Sequence, residues 1–179
     1  QPLDPFNFKA NLDKQSAFVQ MRSNLIPFRR PQGKFQFATT TNLKSVSFSG
    51  LEWVGNYIND NLLTITNAQP VTVWVTNCIL RNSFKTVFRL QDGSHSLALS
   101  GSLIASNTGS YGGVLYYSTT QPGSIQTITA TNTSFQDNRA NVGGVFYIQA
   151  SDQNVQLANC TFLNNTATQS GGAIYMLSN

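Results

Sequence analysis

Charge is scarce in this chain. Only 10% of its 179 residues are Asp, Glu, Lys or Arg, against about a quarter in an ordinary soluble domain. Asn, Gln, Ser and Thr make up the polar surface instead. Such a surface suits secreted or cell-surface proteins, and it suits stacked strands, where like charges would meet at every level. The seven acids are Asp4, Asp13, Glu52, Asp60, Asp92, Asp137 and Asp152. Scattered in this way, they offer neither the paired carboxylates of a glycoside hydrolase nor a calcium-binding cluster for β-elimination. His95 is the only histidine and falls in Asp92-Gly93-Ser94-His95-Ser96, which reads as a surface loop. Asp92, Ser94 and His95 are too close along the chain for a catalytic triad. Cys78 and Cys160 have no histidine beside them to complete a zinc site. The expectation is a non-enzyme with no metal and no cofactor. No apolar run is long enough to cross a membrane, no signal peptide is visible at Gln1-Pro2-Leu3-Asp4-Pro5, and no nucleic-acid-binding motif is present.

What the chain does have is recurrence. An apolar residue, two spacers and an asparagine are followed by Gly-Gly and a short apolar, aromatic run. The clearest copies are Phe135-Gln136-Asp137-Asn138 with Gly143-Gly144-Val145-Phe146-Tyr147, and Phe162-Leu163-Asn164-Asn165 with Gly171-Gly172-Ala173-Ile174-Tyr175. Ile104 to Asn107 with Gly112-Gly113 is a weaker copy. Ile79 to Asn82 and Trp53 to Asn56 are upstream copies without the glycines. The closing asparagines Asn56, Asn82, Asn107, Asn138 and Asn165 thus recur at a period of about 26 residues, which is the mark of a solenoid. Alternating segments such as Val71–Val75, Ile125–Thr129 and Val155–Leu157 precede each copy and read as strands.

Two or three short strands per repeat and one turn of chain per level make an all-β fold, a right-handed parallel β-helix of about five rungs. Phe135 and Phe162 are expected in the lumen, stacked one rung apart. The asparagines are expected to bond from rung to rung as a ladder. Gly143, Gly144, Gly171 and Gly172 permit turns where a Cβ would clash. A leucine-rich repeat lacks support, because Leu-x-x-Leu-x-Leu spacing is absent and nothing after Gly-Gly has helical periodicity.

Residues 1–44 form a basic extension of net charge +5, read as a cap that could meet an acidic partner, lipid headgroups or acidic glycans. Within it Asp13 could cap a short helix carrying Phe18, Met21 and Leu25 on one face, ended by Pro27. Residues 45–179 are the β-helix repeats, expected to continue beyond the chain given. Cys78 and Cys160 fall in rungs two and five, about 14 Å apart, too far for a disulfide.

The pairing of Phe-x-x-Asn with Gly-Gly-Ala-Ile resembles the repeat of the polymorphic outer membrane proteins of Chlamydia, and is similar to pectin-lyase-like surface proteins of protists such as ciliates. The match is carried by Phe162 to Asn165 with Gly171 to Ile174, and by Phe135 to Asn138 with Gly143 to Val145. The resemblance implies an extracellular or cell-surface adhesive or structural module. It would meet protein or glycan partners, or further copies of itself, through its flat faces. The alternative is part of a carbohydrate-active β-helix with its active site elsewhere. Asn132, Asn159 and Asn164 begin Asn-x-Ser/Thr glycosylation acceptors. Thr127, Thr129, Thr131 and Thr133, with Thr64 and Thr66, suggest an ice-binding hydroxyl array, but one that other rungs are not expected to continue.

Overall fold

The computed structural model describes residues 17–22, 35–38, 43–55, 60–66 and 69–178. All of the secondary structure among them is strand. The chain winds in stacked turns. A leading turn contributes β1 (Ala17–Arg22) and β2 (Phe35–Ala38). The next contains β3 (Leu43–Ser49), β4 (Glu52–Val54) and β5 (Leu63–Thr66), followed by β6 (Val71–Thr76), β7 (Ile79–Arg81) and β8 (Phe88–Gln91). The third holds β9 (His95–Ser100), β10 (Leu103–Ala105) and β11 (Leu115–Ser118). The fourth adds a strand: β12 (Ile125–Thr131), β13 (Ser134–Gln136), β14 (Arg139–Val142) and β15 (Phe146–Ala150). So does the fifth: β16 (Asp152–Ala158), β17 (Thr161–Leu163), β18 (Thr166–Ser170) and β19 (Ile174–Ser178).

Equivalent strands pair in parallel from turn to turn. The first sheet runs β1-β3-β6-β9-β12-β16, the second β4-β7-β10-β13-β17, and the third β2-β5-β8-β11-β15-β19; β14 and β18 form a short fourth pair. This is the parallel β-helix expected from the repeat. The alternation of each strand drives it. In β6, Val71, Val73 and Val75 are buried while Thr72, Trp74 and Thr76 face out. Stacking turns removes the inward set from water in one continuous lumen. Val46, Val73, Leu97 and Ile128 form one buried column, and Leu63, Phe88, Leu115 and Phe146 another. Each such side chain stabilises the fold by about 1.5–3 kcal/mol relative to exposure.

Three expectations need correction here. The short helix does not form: Ala17–Arg22 is β1, in parallel register with β3, Val19 beside Val46 and Met21 beside Phe48. Ala17, Val19 and Met21 also carry a period of two, and the edge of β3 offers backbone partners that an isolated helical turn lacks. Asp13, Leu25 and Pro27 lie outside the described residues. Strands β1 and β2 fall inside the segment read as a cap and extend the first and third sheets. His95 is no surface residue. It occupies the first inward position of β9 at 1% exposure.

Both cysteines are free thiols. Their turn position explains them. Cys78 Sγ and Cys160 Sγ lie 3.3 and 3.4 Å from the carbonyls of Thr76 and Ala158. At the equivalent place in intervening turns, Ser102 Oγ and Thr133 Oγ1 donate to Ser100 O and Thr131 O, both at 2.9 Å. A small side chain with a donor, bonding two residues back, is what the position requires. Burial pushes the Cys78 thiol up from its ordinary value, so it stays protonated at neutral pH.

Candidate functional site

The recurring asparagines form a ladder inside the corner between the second sheet and the next strand. Asn107 and Asn138 are fully buried. Asn107 Nδ2 and the Asn107 backbone N–H both donate to Asn138 Oδ1, at 3.0 and 3.1 Å. Asn138 Nδ2 and N–H donate in the same way to Asn165 Oδ1, both at 3.0 Å. Each amide also reaches the carbonyl of the lumen residue one turn back: Asn107 to Leu80, Asn138 to Ile104 and Asn165 to Phe135. Every polar atom of a buried Asn is thereby used, as burial demands.

In the second turn the ladder rung is Ser83, not Asn82. Ser83 N–H donates to Asn107 Oδ1 at 3.0 Å, and the strand register sets Leu80, not Ile79, beside Ile104 and Phe135. Asn82 fills the preceding position, where the backbone is left-handed: φ is 58° there, and 56°, 53° and 54° at Ser106, Asp137 and Asn164. Asn suits both places, by different physics. Asn56 lies outside the described residues.

Phe135 is fully buried and stacks on Phe162 with ring centroids 4.8 Å apart. Phe162 is only half-buried, because among the described residues no strand pairs with the far side of β17. The glycines divide by role. Gly143 and Gly171 have φ of 62° and 71°. Gly144 is held by contact: a Cβ there would lie 2.3 Å from Gly172 O, whereas one on Gly172 would meet nothing within 4 Å. Upstream, Thr86 takes the place of the second glycine and its Oγ1 reaches the carbonyls of Tyr111 and Gly112. The three sequon asparagines are exposed and left-handed, with φ of 49° at Asn132, 53° at Asn159 and 54° at Asn164. Glycine holds the same turn position as Asn132 at Gly50 and Gly101, so the backbone already accounts for asparagine there.

These features build the scaffold. Outward chemistry gathers elsewhere, on the third sheet. Tyr116, Tyr147 and Tyr175 are in register on β11, β15 and β19. Their rings lie nearly parallel, 5.4 and 5.5 Å apart and both 11° from coplanar. Tyr111, 48% exposed, packs edge-on against Tyr147 at 5.0 Å. The stripe continues to Arg89, whose guanidinium carbon sits 5.4 Å from the Tyr116 ring centre. A polar column runs alongside. Gln149 Oε1 accepts from Tyr147 OH and Ser118 Oγ, both at 3.2 Å, and Arg89 Nε donates to Gln91 Oε1 at 2.9 Å. Burial, then the neighbouring tyrosines, push the Tyr147 hydroxyl up from its ordinary value. Sequence reasoning counted these tyrosines in an apolar run. The signal was a tyrosine three residues after the second glycine in three successive copies.

Inside the lumen, His95 and Tyr117 pack edge to face at 6.0 Å. Val71 N–H donates to His95 Nδ1 and His95 Nε2 donates to Gln91 O, which fixes the neutral tautomer. Tyr117 OH donates to Gly93 O. Fully buried, this pair ties strand ends together and is closed to substrate. Among the described residues no group of three or more His, Cys, Asp or Glu gathers to hold a metal.

Residues 159–176 match the family model of the Chlamydia polymorphic membrane protein repeat. The match spans β17 and β18 and reaches into β19, carrying Phe162, Asn165 and the Gly171-Gly172 pair. The chain is thus a parallel β-helix with a repeat of polymorphic-membrane-protein type in its fifth turn. No curated protein and no solved structure matches the chain.

Proposed function

We propose that this chain is a non-catalytic display module of a secreted or cell-surface protein, and that it binds a protein partner through the tyrosine stripe of the third sheet. The stripe itself carries the reading. Three rings stack on one another and Arg89 covers the outer face of Tyr116, so along the stripe it is mainly edges and hydroxyls that a partner meets. Tyrosine loses little conformational freedom on binding and presents apolar edge and hydroxyl together, which is why it is enriched at interfaces. Stacking and the Gln149 bond hold the rings ready, lowering the ordering cost further. The repeat match supports placement at the surface, since that family's name is of a membrane protein. Adhesion fits a rigid rod better than catalysis does, because the acids among the described residues are dispersed over different turns and faces.

The test is binding of purified, biotinylated chain to cultured cells, with and without prior protease treatment of the cells. Tyr116→Ser with Tyr147→Ser should cut binding by about tenfold or more, the usual effect of losing central aromatic anchors. Protease treatment should abolish it. Unchanged binding by the double variant, with an unchanged circular dichroism spectrum, would sink the proposal, as would binding that survives protease.

A further inference from the structure

We propose that the outer face of the first sheet is a binding platform for a neutral, hydroxyl-rich polysaccharide, with Trp74 as its stacking residue. This surface is separate from the tyrosine stripe and stands whether or not that stripe binds protein.

The register places three outward columns across β3, β6, β9, β12 and β16. One runs Ser45, Thr72, Ser96, Thr127 and Asn154; the next Ser47, Trp74, Ala98, Thr129 and Gln156; the third Ser49, Thr76, Ser100, Thr131 and Ala158. Serine continues the threonine array that the sequence suggested only in part. Thr133, by contrast, points inward and is buried. At the ordinary strand spacing the patch measures about 19 Å by 13 Å. None of its fifteen positions is charged: exposed Lys44 of β3 and Asp152 of β16 lie just outside the patch, while Glu52, Arg81, Asp137 and Arg139 lie on or beside the second sheet and Arg89 on the third. Neighbouring hydroxyls already bond across turns, as Thr131 Oγ1 does to Ser100 Oγ at 3.2 Å.

In the middle of this face stands Trp74, 50% exposed. The lumen does not need it, since Val73 and Val75 take the inward positions of β6. Its neighbours in the same column, Ser47 and Ala98, are small, which leaves a shelf on either side of the indole. Apolar surface of that size, held in water on a hydroxyl-rich plane, has a definite complement. A pyranose ring pairs an apolar C–H face with a rim of hydroxyls that donate and accept. The indole covers the first, and hydroxyl and amide side chains match the second.

Other occupants fit less well. Protein interfaces are depleted in Ser and Ala. Nucleic acid needs Lys or Arg for its phosphates. Ice requires a flat array, which the projecting indole interrupts. With no charge among these fifteen positions, and only Lys44 and Asp152, of opposite sign, at the edge, acidic polysaccharides gain nothing over neutral ones.

The experiment is retention of the purified chain on insoluble cellulose, chitin and mannan, with heparin and alginate resins alongside. Soluble oligosaccharides of any retaining polymer are then titrated against tryptophan fluorescence. Trp53 is buried, so a ligand-induced change reports on Trp74. At least one neutral polymer should retain the chain. Trp74→Ala should weaken that retention by about tenfold or more without lowering the melting temperature, and Tyr147→Ser should leave it unchanged. Retention by none of the neutral polymers overturns the proposal. So does equal retention of Trp74→Ala, or stronger retention on the acidic resins. Loss only in Tyr147→Ser would also overturn it and move the glycan to the other face.

Discussion

Replacing Asn138 with alanine puts the ladder to a quantitative test. Its amide takes part in four side-chain bonds: it donates to Ile104 O and Asn165 Oδ1 and accepts from Asn107 N–H and Nδ2. Asn138 and Asn107 are both fully buried, so water does not replace what is lost. The Asn107 backbone N–H loses its acceptor outright, and Ile104 O loses its amide donor. Each buried polar group left without a partner costs about 1–3 kcal/mol. With the small cavity added, the loss is about 3–5 kcal/mol, or about 10 °C in melting temperature for a chain of this size. Asn82→Ala is the control. The sequence pattern treats the two asparagines alike, but the ladder passes through Ser83. Asn82→Ala should cost only about 1 kcal/mol, for alanine in a left-handed turn. Urea unfolding followed by circular dichroism measures both, and hydrogen exchange at the Asn107 amide isolates the ladder bond. Equal midpoints for the two variants, or undiminished protection at Asn107, would refute the reasoning.

The second glycine should show sharp position dependence. Gly144→Ala forces a Cβ to 2.3 Å from a backbone carbonyl and should prevent native folding of the fourth turn, whereas Gly172→Ala should melt within about 1 °C of the parent; thermal scans of the two variants decide it. Alkaline stability should depend on Tyr117. Burial pushes its hydroxyl up to about 12 from an ordinary 10.0. Below pH 10 both folded and unfolded chains keep the proton, and the contribution is fully present. Between pH 10 and 12 the unfolded chain ionises first, and about 2–3 kcal/mol is lost. Tyr117→Phe should therefore be slightly less stable at pH 7 and lose less stability between pH 9 and 12 than the parent, as read from urea midpoints across that range.

The sequence made some of this legible and hid the rest, for physical reasons. Phe135, Phe162 and the Gly pairs stood out because a lumen and a tight corner impose the same demand on each turn. Asn82 misled because asparagine answers two demands at adjacent positions: left-handed backbone, and a buried amide with two donors and an acceptor. The fifth turn shows both at once in Asn164 and Asn165, while the second splits them between Asn82 and Ser83. β1 was hidden because Phe18, Val19 and Met21 fit either period, and only the neighbouring edge of β3 decides between them. His95 looked like a loop residue beside Asp92-Gly93, yet it begins an inward alternation with Leu97 and Leu99. The tyrosine stripe and the uncharged face around Trp74 needed register between turns. No single copy of the repeat displays either.

The bonds of the asparagine ladder, like those of the sheets, point along the axis of the rod, and this has a mechanical consequence. A load on one end does not strain the whole molecule at once; it falls on the outermost turn, whose bonds alone hold it to the next. From Asn138 to Asn165 a turn spans 27 residues. When such a turn peels away it gives up about 5 Å of rod and pays out about 90 Å of chain. A rod wound in this way yields like rope from a spool, in lengths set by the repeat, and the turns beneath keep their shape while it does.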